Sequence, residues 1–288
     1  MHIKFYLADF ILKRPVKNLE KKYMKNLLNV SLLAAVEAGK KILEVYKQDF
    51  AVETKSDNSP LTIADQQSHE VIKAALAGTG YPLLSEEGKQ LPYEERKGWD
   101  TFWLVDPLDG TKEFIKKNGE FTVNIALVKN GTPILGVVYV PVTGVLYYGA
   151  EGVGSYAVTL TDELTAENLA TVLEGATALP GNGKPAVYTI VASRSHNSPE
   201  TEVFIAAKKA AHGEVDIVSS GSSIKLCLVA EGKAQVYPRL APTMEWDTAA
   251  GHGVAKYAGC AVYNYETKLD LVYNKENLLN PWFVVERV

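Results

Sequence analysis

Two hydrophobic rhythms meet at Pro180-Gly-Asn-Gly-Lys-Pro185, and few folds accommodate such a change. Before it, Phe121 to Val128, Ile134 to Val140 and Val145 to Tyr148 are apolar, joined by Asn130-Gly131 and Pro141-Val-Thr-Gly144. Apolar runs separated by tight turns predict antiparallel strands of a meander. After it, strands are expected over Val187–Ala192, Val215–Val218 and Ala234–Tyr237. They alternate with helices from Ser198-Pro199 to about Ala211 and over Ser222–Ala230. A further helix, capped by Asp247, ends near Gly259, and strands follow from Ala261. The expectation is an α+β half followed by an α/β half. We divide the chain into residues 1–23, an N-terminal extension, then sub-domains 24–183 and 184–288, with the turn cluster as their boundary.

The first half opens with a helical pattern over residues 26–47. Thr62 reads as a helix N-cap with Asp65 as its partner at the third helical position, for a helix to about Ala77. Tyr81–Ser85 reads as a strand ending at Glu86-Glu87, Phe102–Val105 as another, and 152–179 as a turn and a short helix. Residues 1–23 hold an apolar run from Ile3 to Leu12 followed by Lys13, Arg14, Lys17, Lys21 and Lys22. The run is too short to span a bilayer, and its charge follows rather than precedes it, unlike a secretory signal. It is either disordered, or a start codon assigned too early, with peripheral membrane contact the lesser reading.

At 288 residues the chain can bury a large core, and a net charge of −4 argues against a nucleic-acid partner. Its two cysteines, Cys227 and Cys260, form no C-x-x-C, which suits buried thiols in a reducing, cytoplasmic setting. The five histidines show no metal-ligand spacing.

The chemistry concentrates where the strand Trp103-Leu-Val105 runs into Asp106-Pro-Leu-Asp109-Gly-Thr111-Lys112-Glu-Phe114. Asp-Pro and Asp-Gly are good turn formers by themselves. Two carboxylates at a turn, with Gly110 allowing close backbone approach, also suit a hard divalent cation such as Mg²⁺. Asp65, Glu86-Glu87 and Asp247 likewise fall at the ends of predicted elements. Gly110-Thr111 and Gly221-Ser222-Ser223 place N–H groups and hydroxyls where a helix could begin, a setting that favours phosphate. Lys225, Arg239 and Ser193-Arg194-Ser195 add positive charge in the second half.

The string Asp106-Pro-Leu-Asp109-Gly-Thr111, with Glu113-Phe114, and the later Trp246-Asp247-Thr-Ala-Ala-Gly251 resemble the paired signatures of the inositol monophosphatase superfamily, Mg²⁺-dependent, lithium-sensitive phosphatases. Lys55-Ser-Asp57-Asn-Ser-Pro60-Leu-Thr62-Ile-Ala-Asp65, Ala192-Ser-Arg194-Ser-His196, Gly221-Ser-Ser-Ile-Lys225 and Tyr237-Pro-Arg239 are similar to its bacterial CysQ branch, the 3'(2'),5'-bisphosphate nucleotidases. The likeness runs from about Met24 to the C-terminus. It implies a layered αβαβα sandwich with the site between the two sub-domains. It implies metal binding, of two or three Mg²⁺, by Glu86, Asp106, Asp109 and Asp247 and by the Leu108 carbonyl, with Glu87 outside that set.

Thr111 and Asp65 would form the activating pair, with Glu86 touching water and metal together. A metal-bound water has a lowered pKa, and two cations can hold both the attacking and leaving oxygens. Gly110, Thr111, Lys112, Ser193, Arg194, Ser195, Ser222, Ser223, Lys225, Arg239 and Asp247 would bind substrate. The activity implied is hydrolysis of 3'-phosphoadenosine 5'-phosphate to AMP and phosphate, tied to sulfur assimilation, by a monomer or homodimer. Its relative 3'-phosphoadenylyl sulfate is a second candidate substrate.

The runner-up is an inositol-1-phosphate or broad sugar-phosphate phosphatase. Arg194, Lys225 and Arg239 favour a substrate with two separated phosphates. A non-catalytic binding module would be expected to lack Thr111, Asp65 or an acidic ligand, and the chain keeps them all.

Overall fold

The computed structural model describes residues 4–48, 52–54, 60–89, 91–183, 185–192 and 198–288. In chain order the elements are α1 (Lys4–Tyr46), β1 (Glu53–Thr54), β2 (Pro60–Leu61), α2 (Ile63–Leu76), β3 (Leu83–Ser85), α3 (Tyr93–Arg96), β4 (Thr101–Asp109) and α4 (Thr111–Ile115). Next come β5 (Thr122–Lys129), β6 (Thr132–Val140), β7 (Val145–Ala150), β8 (Gly154–Thr159), α5 (Leu169–Glu174) and β9 (Thr177–Ala178). The chain ends with β10 (Tyr188–Val191), α6 (Pro199–His212), β11 (Val215–Val218), α7 (Ile224–Glu231), β12 (Val236–Arg239), α8 (Glu245–Tyr257), β13 (Cys260–Asn264) and β14 (Phe283–Arg287).

The two rhythms become two sheets. Strands β3 to β9 form a seven-stranded sheet in sequence order, antiparallel except for the β3–β4 pair. The second sheet has the order β11-β10-β12-β14-β13, parallel on the β11-β10-β12 side, as crossover helices require. Strands β4 to β7 of the large sheet are buried on both faces, and their side chains alternate between two cores. Trp103, Val105, Val123, Ile125, Leu135 and Val137 face α1 and α2. Phe102, Leu104, Ala126, Val128, Val138 and Val140 face α7 and α8, which pack between the sheets. A third cluster, with Ile190, Ile205, Val236 and Val284, seats α6 on the outer face of the second sheet. The layers therefore run helix, sheet, helix, sheet, helix.

Helix α8 lies unusually close to the large sheet because its sequence is small. A Cβ placed on Gly136 of β6 would come within 2.1 Å of the Ala250 carbonyl oxygen. One on Gly149 of β7 would come within 2.8 Å of the Gly253 carbonyl oxygen. The run Thr248-Ala-Ala-Gly-His-Gly253 is what lets the helix start, and Asp247 with it, approach the sheet.

Four expectations need correction. The helix expected over 26–47 extends back along the backbone to Lys4, so no break precedes Met24. Strand β4 does not end at Val105 but continues to Asp109 through a bulge. Residues 152–179 contain the strand β8, which follows β7 through a tight turn. Asp247 is not the N-cap of α8. Met244 occupies that position, and Asp247 sits three residues on, its Oδ2 accepting the Met244 N–H at 2.9 Å. Cys227 and Cys260 are both buried and free of a disulfide. Among the described residues no helix is long and apolar enough to cross a membrane.

Candidate active site

The bulge in β4 explains how two aspartates three residues apart serve one place. In a regular strand, residues an odd number apart point to opposite faces. Here Asp106 pairs with Asn124 and Asp109 with Thr122, so three steps on β4 oppose two on β5. The extra residue rotates the strand and brings both carboxylates to one side. The Asp106 Oδ1 accepts the Leu108 N–H at 3.1 Å, which fixes the bulge from within. Gly110 follows with φ +95°, left-handed backbone that favours glycine, and opens α4 at Thr111.

Carboxylate oxygens of Glu86, Asp106 and Asp247 all lie within 4.8 Å of one another. Glu86 leaves the end of β3, its N–H held by the Val105 carbonyl at 3.1 Å. Asp247 arrives on the first turn of α8. Glu87 is outside this cluster. Asp106 is 2% exposed, and burial, then Glu86, Asp109, Asp247 and Asp65, push its carboxyl well above the usual range. Burial first, then the charges of Asp109 and Glu86, push Asp247 up to about 8, with the Met244 N–H and Arg239 opposing. Crowded carboxylates of this kind demand positive charge, and an all-oxygen donor set suits a hard divalent cation.

Asp109 stands beside this cluster, with one oxygen strongly held. Its Oδ2 accepts from the Ser222 hydroxyl (2.5 Å), the Ser223 N–H (2.7 Å), the Ser223 hydroxyl (2.9 Å) and the Asn124 side-chain amide (3.2 Å). The hydroxyls of Ser222 and Ser223, expected to meet substrate phosphate, are thus turned to Asp109. Ser223 also pairs with the Asp247 carbonyl oxygen at 2.6 Å. This loop is seated tightly, since a Cβ on Gly221 would come within 2.7 Å of the Glu120 carbonyl oxygen.

On the other side, the Thr111 hydroxyl donates to Asp65 Oδ1 at 3.2 Å and lies 3.4 Å from the Leu108 carbonyl. Asp65 is 1% exposed, and its Oδ2 accepts the Thr62 N–H (2.8 Å) and hydroxyl (2.6 Å), the reciprocal cap expected from the sequence. Ser68, one turn later, bonds the Pro107 carbonyl at 2.7 Å and ties α2 to the bulge.

A cleft of about 230 Å³ is lined by Ser219, Ser220, Lys225, Tyr237 and Arg239 among others. The Arg239 Nη2 reaches the Pro242 carbonyl at 3.1 Å, while its buried Nε has no hydrogen-bond partner among the described residues. Lys112 is exposed on α4. Lys55, Asp57, Ser193, Arg194, Ser195 and His196 lie outside the described residues.

Thr122 and Asn124 escaped the sequence reading. Both are fully buried, and each bonds Asp109. Their signal was available: two polar residues, two apart and so on one face, inside the apolar run Phe121–Val128.

The family model for the inositol monophosphatase family matches residues 24–284. A relative from Escherichia coli (strain K12), the 3'(2'),5'-bisphosphate nucleotidase CysQ, is 45% identical over 255 residues, covering 87% of this chain and 96% of its own. The crystal structure of CysQ from Bacteroides thetaiotaomicron superposes with a TM-score of 0.82 at 54% identity, over 92% of this chain and 97% of that one. Extragenic suppressor protein suhB from Bartonella henselae shares the fold at 21% identity, with a TM-score of 0.66 over 91% and 94% of the two chains. With its paired acidic signatures gathered around one bulge, the chain belongs to the inositol monophosphatase family and is a phosphatase of that family.

Proposed function

We propose that the chain is a Mg²⁺-dependent 3'(2'),5'-bisphosphate nucleotidase that converts 3'-phosphoadenosine 5'-phosphate to AMP and phosphate. The observation that carries the reading is a carboxylate cluster whose Asp247 feels the charge of Arg239, a residue that lines a cleft with Lys225. The Thr111–Asp65 pair supplies a proton acceptor, and the cleft bearing Lys225 and Arg239 supplies positive charge. The relatives named CysQ support the substrate class.

Glu86, Asp106 and Asp247 would hold divalent cations, with Asp109 and the Leu108 carbonyl beside them. When bound, such cations lower the pKa of water and neutralise charge on the transferring phosphoryl group. The protein's own part is proton handling and orientation. Thr111 donates to Asp65, which leaves its hydroxyl lone pairs free to accept a proton from the attacking water. As that proton arrives, the threonine's own passes to Asp65, which the Thr62 cap holds in place. Lys225 and Arg239 would bind the second phosphate of the nucleotide at a distance from the reacting one. Arg194 would join them.

Both cysteines are free thiols, which fits the reducing cytoplasm, and the proposed substrate would place the enzyme in sulfur assimilation. A single inositol monophosphate would make no use of the distal cations. The test is a pair of charge-removing variants, Lys225→Met and Arg239→Met. Each should raise KM for the bisphosphate about 10-fold or more, the loss of one charge-assisted phosphate contact, and leave KM for a nucleoside 3'-monophosphate within about 2-fold. Equal losses on both substrates would remove the bisphosphate assignment.

A further inference from the structure

The geometry points to Glu245 as a positioning residue for Asp247, an inference that rests on the divalent-cation reading above. Glu245 is the first residue of α8, two before Asp247, and its side chain is wholly buried. A buried carboxylate is costly unless its oxygens are satisfied, and here they are. Oε2 accepts the Asn274 N–H at 2.6 Å, and Oε1 accepts the Lys275 N–H at 3.0 Å and the Lys275 ammonium at 2.5 Å. These three donors belong to the segment between β13 and β14, remote from α8 in sequence. The carboxylate thus fastens the start of α8 to a loop that carries no part of the proposed chemistry.

That loop is itself anchored. Asn274 takes φ +67°, and Arg96, 2% exposed, donates to its Oδ1 (2.9 Å) and to the carbonyls of Lys275 (2.7 Å) and Glu276 (2.8 Å). Asn274 returns a bond to the Arg96 carbonyl at 2.8 Å. A second arm grips the start of α8. The Glu245 N–H bonds the Leu278 carbonyl at 2.9 Å, and the Asn280 side chain donates to the Met244 carbonyl (2.7 Å) and to the Thr248 hydroxyl (3.0 Å). Met244 is also the residue whose N–H orients the Asp247 carboxylate. The position of Met244, and through it the aim of Asp247, is therefore set from residues 274–280.

Outer partners that orient a metal ligand typically carry 10–100-fold in metal affinity. The test uses Glu245→Gln, which puts an amide where N–H donors converge, and Asn280→Ala, a milder loosening of the second arm that protects against misfolding of the first. Mn²⁺ binding is measured by calorimetry on the full chain well below each variant's melting temperature. Val284→Ala, in the outer core away from the site, serves as a control for simple destabilisation. The expected result is Mn²⁺ affinity about 10–100-fold weaker in Glu245→Gln and about 3–10-fold weaker in Asn280→Ala, with the control like the wild type. Turnover at saturating Mg²⁺ should recover in both, because extra metal compensates for a poorly aimed ligand.

Variants that melt earlier yet bind Mn²⁺ as the wild type does would reduce Glu245 to a structural ion pair and overturn the inference. If instead Asp106→Asn also left Mn²⁺ binding unchanged, the divalent-cation reading itself would fall, and the positioning role with it.

Discussion

The crowding of Asp247 makes a quantitative prediction for Asp247→Asn. Without a cation, its carboxyl is pushed up to about 8 from an ordinary 3.8. Between those values the folded protein holds a proton that the unfolded chain releases, so stability falls as pH rises through that window. At about 1.4 kcal/mol per pH unit, the ceiling of this penalty at pH 7.5 is roughly 5 kcal/mol. Asp247 sits at the partly exposed rim of the cluster, and screening there reduces the expected effect to about 2 kcal/mol.

Asparagine keeps an oxygen for the Met244 N–H and sheds the charge. In chelator at pH 7.5, Asp247→Asn should therefore melt roughly 4–8 °C above the wild type, and the gap should close towards pH 5. With Mg²⁺ at about 100 times Kd the wild type gains close to 2.7 kcal/mol, the variant gains little, and the order reverses. Thermal melts by scanning calorimetry across pH 5–8, with and without Mg²⁺, read both effects. An asparagine variant that melts below the wild type in chelator, or a gap independent of pH, would refute the reasoning.

Two further outcomes are expected. Thr111→Val should lower kcat by about 10²–10⁴ while the Mg²⁺-induced rise in melting temperature stays intact, and Thr111→Ser should restore most of the turnover. Gly136→Ala should cost about 3 kcal/mol, a fall of roughly 6–12 °C in a chemical or thermal melt, because the new Cβ meets the Ala250 backbone rather than a movable side chain.

Much of this molecule was legible in its residues. The Thr62–Asp65 cap, the meander strands and the small-residue helix behind Asp247 are local chemistry, decided by neighbours within a few positions. The bulge was not legible. Asp106-Pro-Leu-Asp109 looks like a turn, and only pairing with Asn124 and Thr122 on β5 reveals a strand with one extra residue. The same long-range pairing hid the hydrogen bonds of Ser222 and Ser223 to Asp109. Two serines ahead of a helix suggest phosphate, but in the fold an aspartate from a strand more than a hundred residues earlier claims their hydroxyls. Glu245 was unreadable for the same reason, since its partners lie about thirty residues on.

The most direct test of the account compares phosphate release from 3'-phosphoadenosine 5'-phosphate and from inositol 1-phosphate, each with Mg²⁺ and with chelator. The account predicts strictly Mg²⁺-dependent turnover, a kcat/KM for the bisphosphate nucleotide at least about 10-fold above that for the inositol ester, and loss of both activities in Asp106→Asn. Equal or better turnover of the inositol ester, or release that persists in chelator, would contradict it.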